Sequence, residues 1–290
     1  MYYNNSFKFI FSKVNMVNRF VSVSGITNDK ELEDVARIRE EEKIETPVVI
    51  GYQVSHKSMH KGTTNSRQPQ FSELYSLVHK TDMLGMHSAI HYYAKSEEVI
   101  KDDLMKIKSD LDTGMLSPAL LQFNTLPPSP EIMQFAKDLG FYNIFKVAVS
   151  HKQTPDGGYA VWKGEEVQDV SNGFVRPLLN QVRERMPNID YVMFDPSHGT
   201  NLELDLTEDS LARRFGTEIV VDPDFKDVGL VYAGGINPNN VSVLNKTLCS
   251  FFTQKRVSLD IESGIRPKNN KYDSDSVRGY LRNYEDSLRK

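Results

Sequence analysis

Short apolar runs alternate with longer stretches in which apolar residues recur at helical spacing, and the two patterns succeed each other from Phe20 to the carboxyl terminus. The short runs predict strands at Phe20–Val23, Pro47–Tyr52, Met83–Ser88, Ala119–Phe123, Ile144–Val149, Tyr191–Phe194, Leu230–Ala233 and Val257–Ile261. They are close to continuously hydrophobic, as expected of parallel strands covered on both faces. Helices are expected over Asp29–Glu42, Ser96–Leu111, Ile132–Leu139, Phe174–Arg185, Thr207–Phe215, Asn239–Phe251 and Asp273–Ser287. Pro130 suits a first helical turn and Gly140 a helix exit. This alternation predicts an α/β fold, a (β/α)8 TIM barrel. The alternative, an open doubly wound sheet, lacks a G-x-G-x-x-G after the first strand.

Three segments depart from the pattern. Residues 1–18 carry Lys8 and Lys13 but no acid and no clear period, and are read as an extension before a barrel spanning 19–290; a transit peptide is the competing reading. His56–Pro69 is polar and reads as an extended loop after the second strand. Gln153–Asp169, with Pro155-Asp156-Gly157-Gly158 and the single Trp162, reads as a hairpin inserted after the fifth strand.

Composition narrows the function. At 290 residues, a barrel of ~250 residues leaves room for these additions. Net charge is -4 with both signs interspersed, which gives no basic field for nucleic acid or an anionic membrane. No run of ~18 apolar residues occurs, so no membrane span is expected. Cys249 is the only cysteine, which excludes an intrachain disulfide and suits a cytoplasmic location. The expected partner is a phosphorylated small molecule, with no cofactor, and the chain is expected to be a monomer or homodimer.

In a barrel, reactive groups project from the carboxyl ends of the strands. Those ends bring forward Ser24, His56 and Lys57, His87 and His91, Gln122 and Asn124, Lys146 and His151, Asp195 and His198, Gly234-Gly235, Asp260 and Ser263-Gly264. Two glycines let backbone approach a ligand, and exposed N–H groups at Ser263-Gly264 can meet an anion. Together the two motifs predict a phosphate cup between the last two strands. Asn237 is the expected N-cap there, with Pro238 at the first helical position. The histidines are not expected to hold a metal, because no His-x-x-x-His is expected on one helix.

These segments resemble the phosphoribosylanthranilate isomerase family. Ser22-Val23-Ser24-Gly25-Ile26-Thr27 is similar to its opening Lys-Ile-Cys-Gly-Ile-Thr, and Ala119-Leu120-Leu121-Gln122-Phe123-Asn124 to its fourth strand. Val192-Met193-Phe194-Asp195 resembles its sixth strand. Ala233-Gly234-Gly235-Ile236-Asn237-Pro238-Asn239-Asn240-Val241 resembles Ala-Gly-Gly-Leu-Thr-Pro-Glu-Asn-Val, and Leu259-Asp260-Ile261-Glu262-Ser263-Gly264-Ile265 resembles Val-Asp-Val-Ser-Ser-Gly-Val.

The resemblance implies an Amadori-type aldose–ketose isomerisation of a phosphoribosyl amine, a step of tryptophan biosynthesis. Asp195 is then the general acid, which would need its proton kept by burial. Ser24 stands at the family's cysteine base, where an unassisted hydroxyl is too weak. The family's Gly-Thr-Gly-Lys run is absent after the sixth strand, and its fourth-strand histidine is Asn124. The arginine that the family carries after the second strand has no clear equivalent, so Lys57 and Lys61 are the basic candidates. Lys57, Gln122, Asn124, Lys146 and Asp260 are the expected substrate contacts. Three readings stay open: an isomerase using His198, His151 or His87 as base; a barrel acting on another sugar phosphate; and a silent binding barrel.

Overall fold

The computed structural model describes residues 19–63, 65–111, 119–124, 127–147, 149–153, 159–163, 166–169, 175–197, 203–253, 256–267 and 270–289, with side chains described outside 150–174. Eight parallel strands close into a barrel: β1 (Val21–Ser24), β2 (Val48–Ser55), β3 (His87–Tyr93), β4 (Leu120–Phe123), β5 (Tyr142–Lys146), β9 (Tyr191–Phe194), β10 (Gly229–Tyr232) and β11 (Val257–Ile261). The ring order is β1-β11-β10-β9-β5-β4-β3-β2, so first and last strands pair, with Ser22 opposite Asp260. After β5 come β6 (Val149–Gln153), β7 (Tyr159–Lys163) and β8 (Glu166–Asp169), a three-stranded antiparallel sheet rather than a single hairpin. The expected extension at residues 1–18, the turn at 154–158 and His198 lie outside the described residues.

The helices are α1 (Asp29–Glu41), α2 (His56–Lys61), α3 (Phe71–Met83), α4 (Ile100–Leu111), α5 (Pro130–Asp138), α6 (Arg176–Arg183), α7 (Leu211–Val221), α8 (Val241–Phe251) and α9 (Ser274–Leu288). Three helix-to-strand connections share one exit. After α1, α3 and α5 the chain turns through a residue at positive φ: Lys43 at 53°, Gly85 at 67° and Gly140 at 88°. The next amide in each case reaches back five residues, Ile44 to Arg39, Met86 to Thr81 and Phe141 to Ala136. This satisfies carbonyls that the helix end would otherwise leave bare.

That exit corrects the third strand. Met83 is not its first residue; it ends α3 and is 74% exposed. The apolar residues near it belong to the helix, whose buried face is Leu74, Leu77, Val78 and Thr81. The strand begins at His87 and runs to Tyr93, which moves His87 from the expected carboxyl end to the opposite end of the barrel. The expected loop at His56–Pro69 begins with a helix instead. Ser55 and Ser58 cap each other's backbone amides and start α2 directly on the end of β2. The helix expected from Asn239 begins at Val241, because Asn237 caps a preceding turn by accepting from the Asn239 amide at 2.9 Å.

Each barrel strand has two faces. Outward residues such as Val21, Ile50, Tyr52, Leu121, Phe145, Phe194 and Leu259 are buried against the helices. Tyrosines tie the layers together: Tyr52 on β2 bonds Thr81 of α3, Tyr232 on β10 donates to the Ala212 carbonyl of α7, and Tyr280 of α9 donates to the Leu259 carbonyl of β11. A buried phenol usually pairs its hydroxyl in this way, which lets the ring pack against apolar neighbours without stranding the oxygen. The inward faces form a separate apolar plug of Phe20, Val49, Ala89, Leu120, Ile144, Tyr191, Met193, Val231 and Ala233. One step further along the same strands, the interior turns polar.

Candidate active site

That polar layer follows from the two-residue period of a strand. Ser24, Gly51, Gln53, His91, Gln122 and Lys146 each follow an inward residue by two or four positions, and Asp260 follows Ser258, whose hydroxyl accepts from the Phe20 amide. Asp195 continues β9 two residues past Met193. A cavity of about 420 Å³ opens above them. It is lined by Gln53, Gln122, Asn124, Lys146, Asp195 and Asp260 from the strand ends, by Gly234, Gly235 and Ser263 from the last two loops, and by Asn65 and Arg67 from the segment after α2.

Two paired groups stand on either side of β10. On the β5–β9 side, Lys146 Nζ donates to Asp195 Oδ2 at 2.6 Å, with both side chains largely buried. Asp195 Oδ1 also accepts from the Ser197 amide at 2.9 Å and the Ser197 hydroxyl at 2.7 Å. Both oxygens of the carboxylate are thus held by donors. On the β11–β1 side, Ser24 Oγ donates to Asp260 Oδ1 at 2.5 Å and lies 3.2 Å from Ser22 Oγ. Ser24 has no exposed surface, and Asp260 rather than Ser24 lines the cavity.

Gly51 makes this crowding feasible. A Cβ there would stand 2.2 Å from Ser24 Oγ and 3.0 Å from His91 Cε1. His91 is 2% exposed, and burial holds its imidazole below the ordinary histidine range, against the pull of Asp260 and Glu262. Its Nδ1 and the Gln122 Oε1 have no hydrogen-bond partner among the described residues. Buried polar atoms without partners are costly; Gln122 lines the main cavity and His91 the neighbouring one, so both are unused capacity for a polar ligand.

β10 delivers the backbone of the cup. Gly234 and Gly235 adopt φ of 107° and 57°, a region that side chains resist. Asn237 and Asn240 side-chain amides both donate to the Gly235 carbonyl, at 3.1 and 2.9 Å, which turns that carbonyl into the loop's own network. Gly264 does not line the cavity. A Cβ on it would stand 2.1 Å from the Ile236 carbonyl oxygen, so this glycine lets the loop after β11 lie directly on the loop after β10.

The remaining sequence candidates separate. Lys57 borders a neighbouring cavity of about 580 Å³, which shares Gln53, Asn65 and Asn124 with the main one. Lys61 is exposed at the end of α2. His87 lies at the far end of β3, and the side chain of His151 and all of His198 are outside the described residues. Arg67 was missed. It donates to Glu262 at 2.8 Å and to Asn270 at 2.5 Å, lashing its loop to the β11 side of the mouth. It is the single arginine between the second and third strands, and that was the available signal.

No family model matches the chain, and no curated protein matches it in sequence. Solved structures do match in shape. A phosphoribosyl anthranilate isomerase from Thermus thermophilus aligns over 91% of this chain and 97% of its own, with a TM-score of 0.55 at 13% identity. A phosphoribosyl anthranilate isomerase in complex with reduced 1-(o-carboxyphenylamino)-1-deoxyribulose 5-phosphate aligns over 92% and 99%, with a TM-score of 0.53 at 17% identity. A GH113 β-1,4-mannanase also reaches a TM-score of 0.55, at 7% identity, over 94% and 99%. Enzymes of such different chemistry at equal likeness establish the (β/α)8 fold, and function must be argued from the site.

Proposed function

We propose that the barrel binds a phosphorylated aminosugar and catalyses its aldose–ketose isomerisation, as a divergent relative of phosphoribosylanthranilate isomerase. The observation that carries this reading is the pair of carboxylates, Asp195 and Asp260, set on β9 and β11 on either side of the Gly234-Gly235 strand. The phosphate lies against Gly234, Gly235 and Ser263, and Arg67 supplies positive charge from beside Glu262. The Lys146 ammonium, oriented by Asp195, gives its proton to the ring oxygen as the C1–O bond breaks, leaving an iminium at C1. Asp260, oriented by the Ser24 hydroxyl, takes the proton from C2; the electron pair closes the C1–C2 double bond, and tautomerisation gives the aminoketose. Asp260 thereby replaces the base that the serine at position 24 cannot be. His198 stays a candidate for the same role.

The test is turnover of N-(5-phosphoribosyl)anthranilate by the purified chain, followed by chromatography of the product. Asp195→Asn and Asp260→Asn should each lower kcat by about 10²–10⁴-fold, the usual scale of a lost acid or base. No turnover, together with no growth of an auxotroph lacking this step, removes the isomerase. A second reading, a silent binding barrel, is favoured by the complete burial of Ser24. It predicts a raised Tm with ribulose 5-phosphate and no chemistry, and Ser24→Cys that restores activity would identify the lost group.

A further inference from the structure

Of the tyrosines that tie strands to helices, Tyr92 has a different partner. Its hydroxyl donates at 2.6 Å to Oδ2 of Asp103, a carboxylate on α4 that is 2% exposed. Two histidines hold the same carboxylate. His56 Nδ1 stands 2.9 Å from Oδ2, and His60 Nε2 stands 2.9 Å from Oδ1. The two imidazoles lie four residues apart on α2, so the helix presents both to one side, with ring centroids 4.6 Å apart. The three potential ligand atoms lie within 4.8 Å of one another.

We propose that His56, His60 and Asp103 form a zinc-class divalent metal site, separate from the paired groups in the main cavity. Two imidazole nitrogens and one carboxylate oxygen are a donor set suited to zinc. Nitrogen and oxygen ligands ~2.0–2.1 Å from a tetrahedral ion stand roughly 3.3 Å from each other. The present 2.9 Å contacts, made to the two different oxygens of Asp103, open by a few tenths of an ångström to reach it, and any pair nearer the 4.8 Å limit closes toward it as the side chains turn. Both histidine side chains are 43% exposed, so an ion can enter from solvent and keep water as its fourth ligand. Tyr92 supplies the outer partner that orients a ligating carboxylate. The ion joins α2 to α4 and so fixes the start of the segment that carries Asn65 and Arg67 to the cavity.

The experiment uses the full chain without a histidine tag, stripped by chelator and titrated with Zn²⁺ by calorimetry and with Co²⁺ by visible absorption. One equivalent per chain and the absorption of tetrahedral Co²⁺ are expected, with a higher Tm for the zinc-loaded protein. Tyr92→Phe should weaken binding by about 10–100-fold, the usual effect of losing an outer partner. His60→Ala, at an exposed position and checked for folding by circular dichroism, should weaken it further than that. Zinc binding that persists unchanged in a His56→Ala/His60→Ala double variant places the metal elsewhere and overturns the proposal. So does a wild-type chain that binds no more tightly than the double variant, since the cluster is then a hydrogen-bonded one only.

Discussion

The two ends of the barrel interior are built from the same strands by the same alternation, yet they are opposite in character. At the amino end Phe20, Leu120, Ile144 and Tyr191 fill the space with apolar volume, and Phe20 meets Tyr191 edge to face at 5.3 Å. At the carboxyl end Ser24, His91, Gln122, Lys146 and Asp260 occupy the same inward direction. The lower layer stabilises by removing apolar area from water, while the upper layer holds charge in near-burial, paired at Lys146–Asp195 and Ser24–Asp260 and without a partner among the described residues at His91 Nδ1 and Gln122 Oε1. The comparison separates the part of the molecule that holds it folded from the part that can do chemistry.

Four perturbations measure how sharp this division is. Phe20→Ala should cost the most, about 3–5 kcal/mol for a fully buried aromatic, read as a lower urea midpoint. If the variant also lost ligand binding at temperatures where it is folded, the two layers would not be independent. Gly264→Ala should cost roughly 1–3 kcal/mol, because the new methyl meets the fixed Ile236 carbonyl as well as the Ile261 side chain. Its effect on phosphate affinity should exceed its effect on stability, since the two loops of the cup must part. Replacing Lys146 and Asp195 together, by Met and Leu, should leave stability about unchanged or raise it by ~1–4 kcal/mol while abolishing activity. A strong loss of stability would make that pair structural.

The smallest effect is a pH dependence. The unfolded chain protonates His91 near pH 6.5, whereas the buried native imidazole resists protonation. The unfolded state therefore binds more protons as pH falls below about 6.5, and stability declines until the lower native value is passed. His91→Gln should flatten that decline in urea titrations between neutral pH and pH 5. An unchanged slope would mean that His91 is charged in the native mouth.

Much of this was legible in the sequence for a simple reason: apolar period and turn residues act locally. Tyr191–Phe194 and Val257–Ile261 were read at their observed bounds, and Gly140 ends its helix as expected. The third strand was displaced because the apolar residues at the end of α3 imitate a strand run, and His87, Ser88 and His91 disguise the real one. Asp260 and Asp195 were visible as strand ends. Their partners were not, because Ser24 and Asp260 are 236 residues apart, and nothing local encodes that bond. α2 was lost for a different reason: its signal is the pair Ser55 and Ser58, a cap without an apolar period. Missing it also hid the spacing that brings His56 and His60 to one side.

The pairing of β1 with β11 has a consequence for how the chain comes into being. During synthesis from the amino end, β1 and β2 emerge early, but the edge of β1 stays open until residues near Ile261 have left the ribosome. Any shorter nascent barrel exposes an unsatisfied strand edge to other chains. The Ser24–Asp260 bond lies across that seam, so its formation is also the signal that the ring has been sealed.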